Sequence, residues 1–227
     1  MPGEHDTLAA ALRAAGVAAD LAERLAAYGA LLLEANRKVN LTGAKDAGAL
    51  VSHLLDALTL AGDVTESLVD VGSGGGLPGI PLALATGARV VLVEPIIKKA
   101  AFLERALADL GLAGAVVAER AEVAAREVRF REQFAFATAR AVSRASTVAE
   151  LTVPFLRIGG RALLQRGAID PAERQALEDA APILGAGFIE ERQLDGDRRV
   201  LILEKLVLTG PRFPRRNGVP EKRPLCV

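Results

Sequence analysis

Apolar residues recur at three- and four-residue intervals through the first sixty positions, and then the rhythm changes. Leu21, Leu25, Tyr28, Leu32, Ala35 and Val39 mark one face of a long helix beginning near Asp20. Glu23 stands three residues after Asp20, the spacing of a capping box. Asp6 is placed to cap a shorter helix that ends at Gly16. After the interruption Asn40-Leu41-Thr42-Gly43, a third helix is expected from about Asp46 to Ala61. From Ser67 onward, short strand-like runs alternate with helical segments. Strands are expected over Leu68–Val71, Val90–Glu94, Ala115–Ala118, Phe134–Thr138 and Arg161–Gln165. This alternation predicts an α/β chain with a parallel, doubly wound sheet. Asp170-Pro171 opens the next helix with a good cap and a proline at the first helical position. Two last strands, Phe188–Leu194 and Val200–Leu206, flank Asp195-Gly196-Asp197, a hairpin signal. The expected sheet has seven strands, mostly parallel, and ends in an antiparallel hairpin, unlike a plain dinucleotide dehydrogenase.

Composition narrows the class. The chain has 227 residues, 51% of them hydrophobic, which is enough for one sizeable core. Lys+Arg and Asp+Glu balance at 28 each, so net charge excludes no partner. The single cysteine, Cys226, excludes a disulfide framework and a Cys-based metal site. No metal is expected. The absence of a secretory pattern and of a membrane-length apolar stretch leads to the expectation of a reduced, cytoplasmic setting.

The chemistry concentrates in Asp70-Val71-Gly72-Ser73-Gly74-Gly75-Gly76, which follows a strand and precedes the helix near Pro81–Ala85. Glycines let a backbone turn tightly and approach a ligand closely. Glu94 ends the next strand, 22 residues after Gly72. At that sheet edge an acid can accept hydrogen bonds from a ribose diol. Three readings stand side by side: a purely structural turn, a nicotinamide or flavin dinucleotide site, and an S-adenosylmethionine site. Asp70 favours the last, because an acid before the first glycine can hold an amino group. Pro78 and Pro81 point the same way, because they remove N–H donors that a pyrophosphate would want. Glu122 follows the third strand, where an adenine would lie if Glu94 holds a ribose. As a residue at a helix start, it is equally well explained by the helix itself. Arg140 stands just past the fourth strand, either a group at the reacting edge or a surface arginine. His53 and Asp56, at i and i+3, share a helix flank; they line the mouth of a site or tie the helical layer down. Lys98, Lys99 and Arg105 share the helix after Glu94. His5 carries no inference.

Taken together, these blocks resemble one family. Val39-Asn40-Leu41-Thr42, His53-Leu54-Leu55-Asp56, Asp70 to Pro81, Glu94 with Lys98-Lys99 and Phe102-Leu103, and Ala139-Arg140-Ala141 match the bacterial small-subunit ribosomal RNA guanine-N7 methyltransferases, the glucose-inhibited division protein B family. Some members also share Pro214-Arg215-Arg216 to Pro224-Leu225-Cys226. The resemblance implies a Rossmann-like methyltransferase domain behind an N-terminal helical layer, with boundaries expected at 1–62, 63–208 and a basic tail at 209–227. It implies S-adenosylmethionine as methyl donor and one guanine of 16S ribosomal RNA, near the decoding region, as acceptor, whether in free RNA or in the small ribosomal subunit. The enzyme is expected to act as a monomer. Cofactor contacts carry over to Gly72, Leu77, Ala121, Glu122 and Arg140, beside Asp70, Gly74 and Glu94 from the loop reading. Asn40, His53, Asp56 and Arg166 are candidates on the substrate side. The chain departs from the family at Ala57, usually serine, and at Arg166, usually lysine. Guanine N7 has a lone pair and no proton, so Arg140 is expected to position rather than to act as a general base.

A nicotinamide-dependent oxidoreductase and a non-catalytic RNA-binding or cell-division regulator are the competing classes. The regulator draws on the tail, which holds Pro211, Pro214, Pro220 and Pro224 together with Arg212, Arg215, Arg216, Lys222 and Arg223. Either the tail extends along a phosphate backbone, or it packs back through Phe213 and Leu225. Its distance in sequence from the glycine loop leads to the expectation that it does not affect cofactor affinity.

Overall fold

The computed structural model describes residues 3–140 and 143–226. All seven expected strands are there: β1 (Leu68–Val71), β2 (Val90–Val93), β3 (Gly114–Val117), β4 (Phe134–Arg140), β5 (Leu156–Arg166), β6 (Ala186–Gln193) and β7 (Arg199–Lys205). They form a sheet in the order β3-β2-β1-β4-β5-β7-β6. The β1–β4, β2–β3 and β4–β5 pairs are parallel, and β7 runs antiparallel to both β5 and β6. Burial follows that order. Leu-Val-Asp-Val of β1 and Val-Val-Leu-Val of β2 are buried throughout, as strands covered on both faces are. The edge strands β3 and β6 carry exposed residues.

By contacts the chain divides into two compact units, Met1–Thr65 with Ser73–Ala118, and Glu66–Gly72 with Glu119–Val227. The first holds α1 (Glu4–Ala14), α2 (Ala19–Asn36), α3 (Ala47–Leu58), α4 (Gly79–Thr86) and α5 (Ile97–Asp109). Leu8, Leu12, Leu25, Tyr28, Leu32, Leu50 and Leu54 are fully buried. A Cβ on Gly29 would lie 2.7 Å from Leu8 Cδ1, so α1 and α2 pack closely there. The start signals of α1 and α2 were misplaced. Gly3 caps α1, which puts Asp6 inside its first turn, and Ala18 caps α2 without a side-chain bond. Glu23 forms no capping box, because its carboxylate pairs with Arg13 of α1. The long helix stops at Asn36, short of Val39, and α3 stops at Leu58 rather than Ala61. Asp46 does cap α3, accepting from Ala49 N at 2.9 Å.

The second unit holds β1, β4, β5, β7 and β6 with α6 (Ala121–Ala124), α7 (Ala145–Thr152), α8 (Pro171–Ile183) and α9 (Val219–Lys222). Asp170 caps α8 as expected, accepting from Glu173 N at 2.8 Å. The tail packs on this unit; the alternative of an extended arm does not hold. Phe213 and Thr209 are buried. The reason is an unusual polar fit. Fully buried Glu150 of α7 receives the Arg215 guanidinium and also the Arg215 backbone N–H, at 2.7 Å. Arg212, Arg216, Lys222 and Arg223 keep exposed side chains.

Candidate active site

In the first unit the glycine loop closes on the end of β2. Gly74 N donates to Glu94 Oε2 at 2.9 Å, and Ile96 N donates to Glu94 Oε1 at 2.9 Å. Ser73 N bonds Val93 O at 3.2 Å, and Gly76 N bonds Ser73 O at 2.7 Å. Gly74 has φ 56 and Gly76 has φ 96, a left-handed backbone that favours glycine. Tyr28 of α2, fully buried, donates to Gly75 O at 2.7 Å and fixes the loop from the helical layer. Glu94 is 4% exposed. Its two oxygens have about four acceptor positions, so two backbone donors leave room for the two hydroxyls of a ribose.

Past the loop, Leu77 is buried and Pro78 caps α4. Ile80 N bonds Gly76 O at 2.8 Å, and Pro81 has no N–H. The start of α4 therefore presents little of the donor array that a pyrophosphate needs. This arrangement offers acceptors to a ribose diol and few donors to a phosphate.

The substrate-side candidates of this unit lie around one loop. Asn36, the last residue of α2, organises it. Asn36 Oδ1 accepts from Leu41 N at 2.8 Å and Thr42 N at 3.0 Å, and Asn36 Nδ2 donates to Thr42 O and Ala44 O, both at 3.0 Å. Asn40 is exposed on that loop. His53 Nδ1 lies 3.4 Å from Thr42 Oγ1, and Asp56 lies one turn further along α3, both half-buried. Sequence reading passed over Asn36, although an asparagine closing a helix just before an Asn-Leu-Thr turn is a signal for such a bond. Lys98 is exposed and Arg105 is paired with Asp109 at 3.2 Å.

In the second unit Asp70 is 1% exposed and accepts a hydrogen bond from Thr138 Oγ1 at 2.8 Å, across the register pair of β1 and β4. Thr138 was not singled out from sequence. Gly72, exposed with φ 72, continues from β1. Arg140, half-buried, ends β4 opposite Gln165 of β5. Ala141, part of the block that carried the resemblance, lies outside the described residues. Two further candidates are engaged inside the unit. Arg166 donates to Glu173 Oε1 at 2.7 Å and to the carbonyl of Ser143, and Glu173 Oε1 also accepts from Ala145 N at 2.8 Å. Glu122, 6% exposed, accepts from Gly218 N at 2.8 Å, so its carboxylate faces the tail. Ala121, buried beside it, opens α6.

A family model described as rRNA small subunit methyltransferase G matches residues 21–198. A ribosomal RNA small subunit methyltransferase G of Rubrobacter xylanophilus is 44% identical over 215 residues, which span 86% of this chain and 81% of the relative. One from Roseiflexus castenholzii is 40% identical over 213 residues, spanning 89% and 91%. Among solved structures, an S-adenosylmethionine-dependent O-methyltransferase of Thermotoga maritima superposes with TM-score 0.52 at 16% identity, covering 69% of this chain and 66% of that one. That likeness concerns the fold.

Proposed function

The chain belongs to the rRNA small subunit methyltransferase G family, and from that premise we propose that it transfers a methyl group from S-adenosylmethionine to N7 of one guanine of 16S ribosomal RNA, near the decoding region. The observation that carries the cofactor reading is the glycine loop drawn onto Glu94, followed by a helix start that prolines strip of donors. Asp70, Gly72, Gly74, Leu77, Glu94, Ala121, Glu122 and Arg140 are the residues proposed to hold the cofactor. Asp70 takes the amino group, Glu94 the ribose hydroxyls, and the segment at Ala121–Glu122 lies along the adenine. Asn40, His53 and Asp56 are proposed to face the RNA. Arg166, tied to Glu173 and Ser143, is better suited to holding the start of α7 than to meeting RNA directly.

When bound, S-adenosylmethionine supplies an electrophilic methyl carbon on a sulfonium. Guanine N7 offers an in-plane lone pair and has no proton to lose. No residue therefore has to serve as general base, and orientation carries the rate. Arg140 is assigned to orientation. Action as a monomer in the cytoplasm completes the proposal. Among the described residues, no helix is long and apolar enough to cross a membrane.

Calorimetry with S-adenosylmethionine and with NADH tests the cofactor. Saturable heat with the first alone is expected, and saturation by NADH alone would overturn the assignment. Gly74→Val should abolish the binding, because a β-branched residue resists φ 56 and the loop would lose its bond to Glu94. The reaction itself is tested in cells lacking the gene: N7-methylguanosine should vanish from 16S RNA and return with the wild-type chain.

A further inference from the structure

α6, which carries Ala121 and Glu122, is a single turn of four residues with no side-chain cap at its start. A lone turn does not hold itself in water. What holds it is the C-terminal segment. Glu122 Oε1 accepts from Gly218 N at 2.8 Å. Arg126, directly after α6, donates to Pro214 O at 2.5 Å, Arg212 O at 3.1 Å and Pro211 O at 3.3 Å. Arg131 donates to Thr209 O at 2.7 Å and Phe213 O at 2.9 Å, and Thr209 N donates to Glu132 Oε1 at 2.7 Å.

The chemistry of this match is specific. Pro211 and Pro214 have carbonyls but no N–H, so this stretch cannot join a strand ladder and leaves acceptors to be satisfied. Two arginines, with five donors each, fill that need. Beyond Gly218, Thr147 Oγ1 donates to Pro220 O at 3.1 Å, and Arg215 seats on Glu150. The tail thus runs from the segment after α6 to α7 and is fastened at both ends.

We propose that residues 209–218 form a strap that sets affinity for the nucleoside part of the cofactor by fixing Ala121–Glu122, with Glu122 and Arg126 as positioning residues. This rests on the reading of Ala121–Glu122 as the adenine side. It reverses the expectation, drawn from distance in sequence, that the tail leaves cofactor affinity untouched. The coupling is reciprocal: if the strap tightens cofactor binding, the cofactor tightens the strap.

The test measures S-adenosylmethionine affinity by calorimetry on the full chain and hydrogen exchange at the Gly218 amide. Arg126→Ala and Glu122→Ala should each weaken binding about tenfold, the weight of one charge-assisted bond. Arg212→Ala, which removes an exposed side chain but keeps the carbonyl that accepts from Arg126, should stay within about twofold of wild type. In the wild-type chain, cofactor should slow exchange at Gly218. A folded Arg126→Ala variant with wild-type affinity overturns the strap, as does Gly218 exchange that ignores the cofactor. A loss for Glu122→Ala with none for Arg126→Ala would instead make the carboxylate a direct ligand and also overturn it. Absence of any binding by the wild-type chain would remove the proposed function itself.

Discussion

Arg140 occupies the last position of β4, half-buried, with Gln165 opposite it on β5. Replacing it by alanine removes a cation from the strand end without opening the core. We expect Arg140→Ala to lower kcat/KM for methyl transfer about 100-fold, the order found for loss of one preorganised donor. The melting temperature should fall by only a few degrees, so that the variant stays folded at the assay temperature. Transfer of labelled methyl to undermethylated small subunits, beside a thermal melt, reads both; full activity in a folded variant rules the role out. At this scale, spacing made Asp70, Gly74 and Glu94 legible, because strand, loop and next strand edge follow one another within 25 residues. Thr138 lies 68 residues from Asp70, and Gly218 lies 96 residues from Glu122. No local pattern announces such partners, so the bonds that commit those carboxylates came only with the fold. Arg166 is a different case: its partner Glu173 is only seven residues away, but a helix-start glutamate reads first as a cap.

Elements were more legible than residues. All seven strands overlap the runs that mark them, since burial on two faces leaves a strong mark in β1 and β2, although β5 begins at Leu156, five residues before Arg161. Helix ends were less legible, because cap signals compete with tertiary partners: Glu23 meets Arg13 instead of its own helix start, and Asn36 turns to the loop after it. The tail was ambiguous because proline and charge are compatible with both an extended arm and a packed strap. Its anchorage is open to test. Arg215 side-chain donors reach both oxygens of Glu150, a carboxylate with no solvent exposure. Arg215→Ala would leave that charge buried with only a backbone donor beside it. The expected loss is about 3 kcal/mol, or roughly 6–12 °C in melting temperature for a chain of this size. Adding Glu150→Leu should restore much of it, since it removes the buried charge that the first substitution strands. A double variant as unstable as the single one would place the loss in packing instead of charge.

For the whole molecule, net charge was the least informative number, because a sum of zero conceals a buried cation. Lys205 of β7 has no solvent exposure and donates to Val153 O at 3.1 Å and to the Thr209 hydroxyl, with Glu132 Oε1 at 3.3 Å. Burial lowers its pKa from 10.5 to about 8, outweighing the opposing pull of Glu132, while nearby Arg131 lowers it further. The consequence for stability has a definite sign. Below pH 8 the lysine is charged in both the folded and unfolded chain, and folding bears its desolvation. Between about 8 and 10.5 the folded chain releases the proton and the unfolded chain keeps it, so the unfolded state binds more protons and stability rises with pH. The slope from this group approaches about 1.4 kcal/mol per pH unit near the middle of that window. Lys205→Met removes the titration and leaves a pH-independent difference from the lost bonds. Urea unfolding of both chains from pH 6.5 to 10 should therefore give a stability difference, wild type minus variant, that is flat up to about pH 8 and then grows. A difference that shrinks across the same range would mean that the Glu132 ion pair, not burial, governs Lys205.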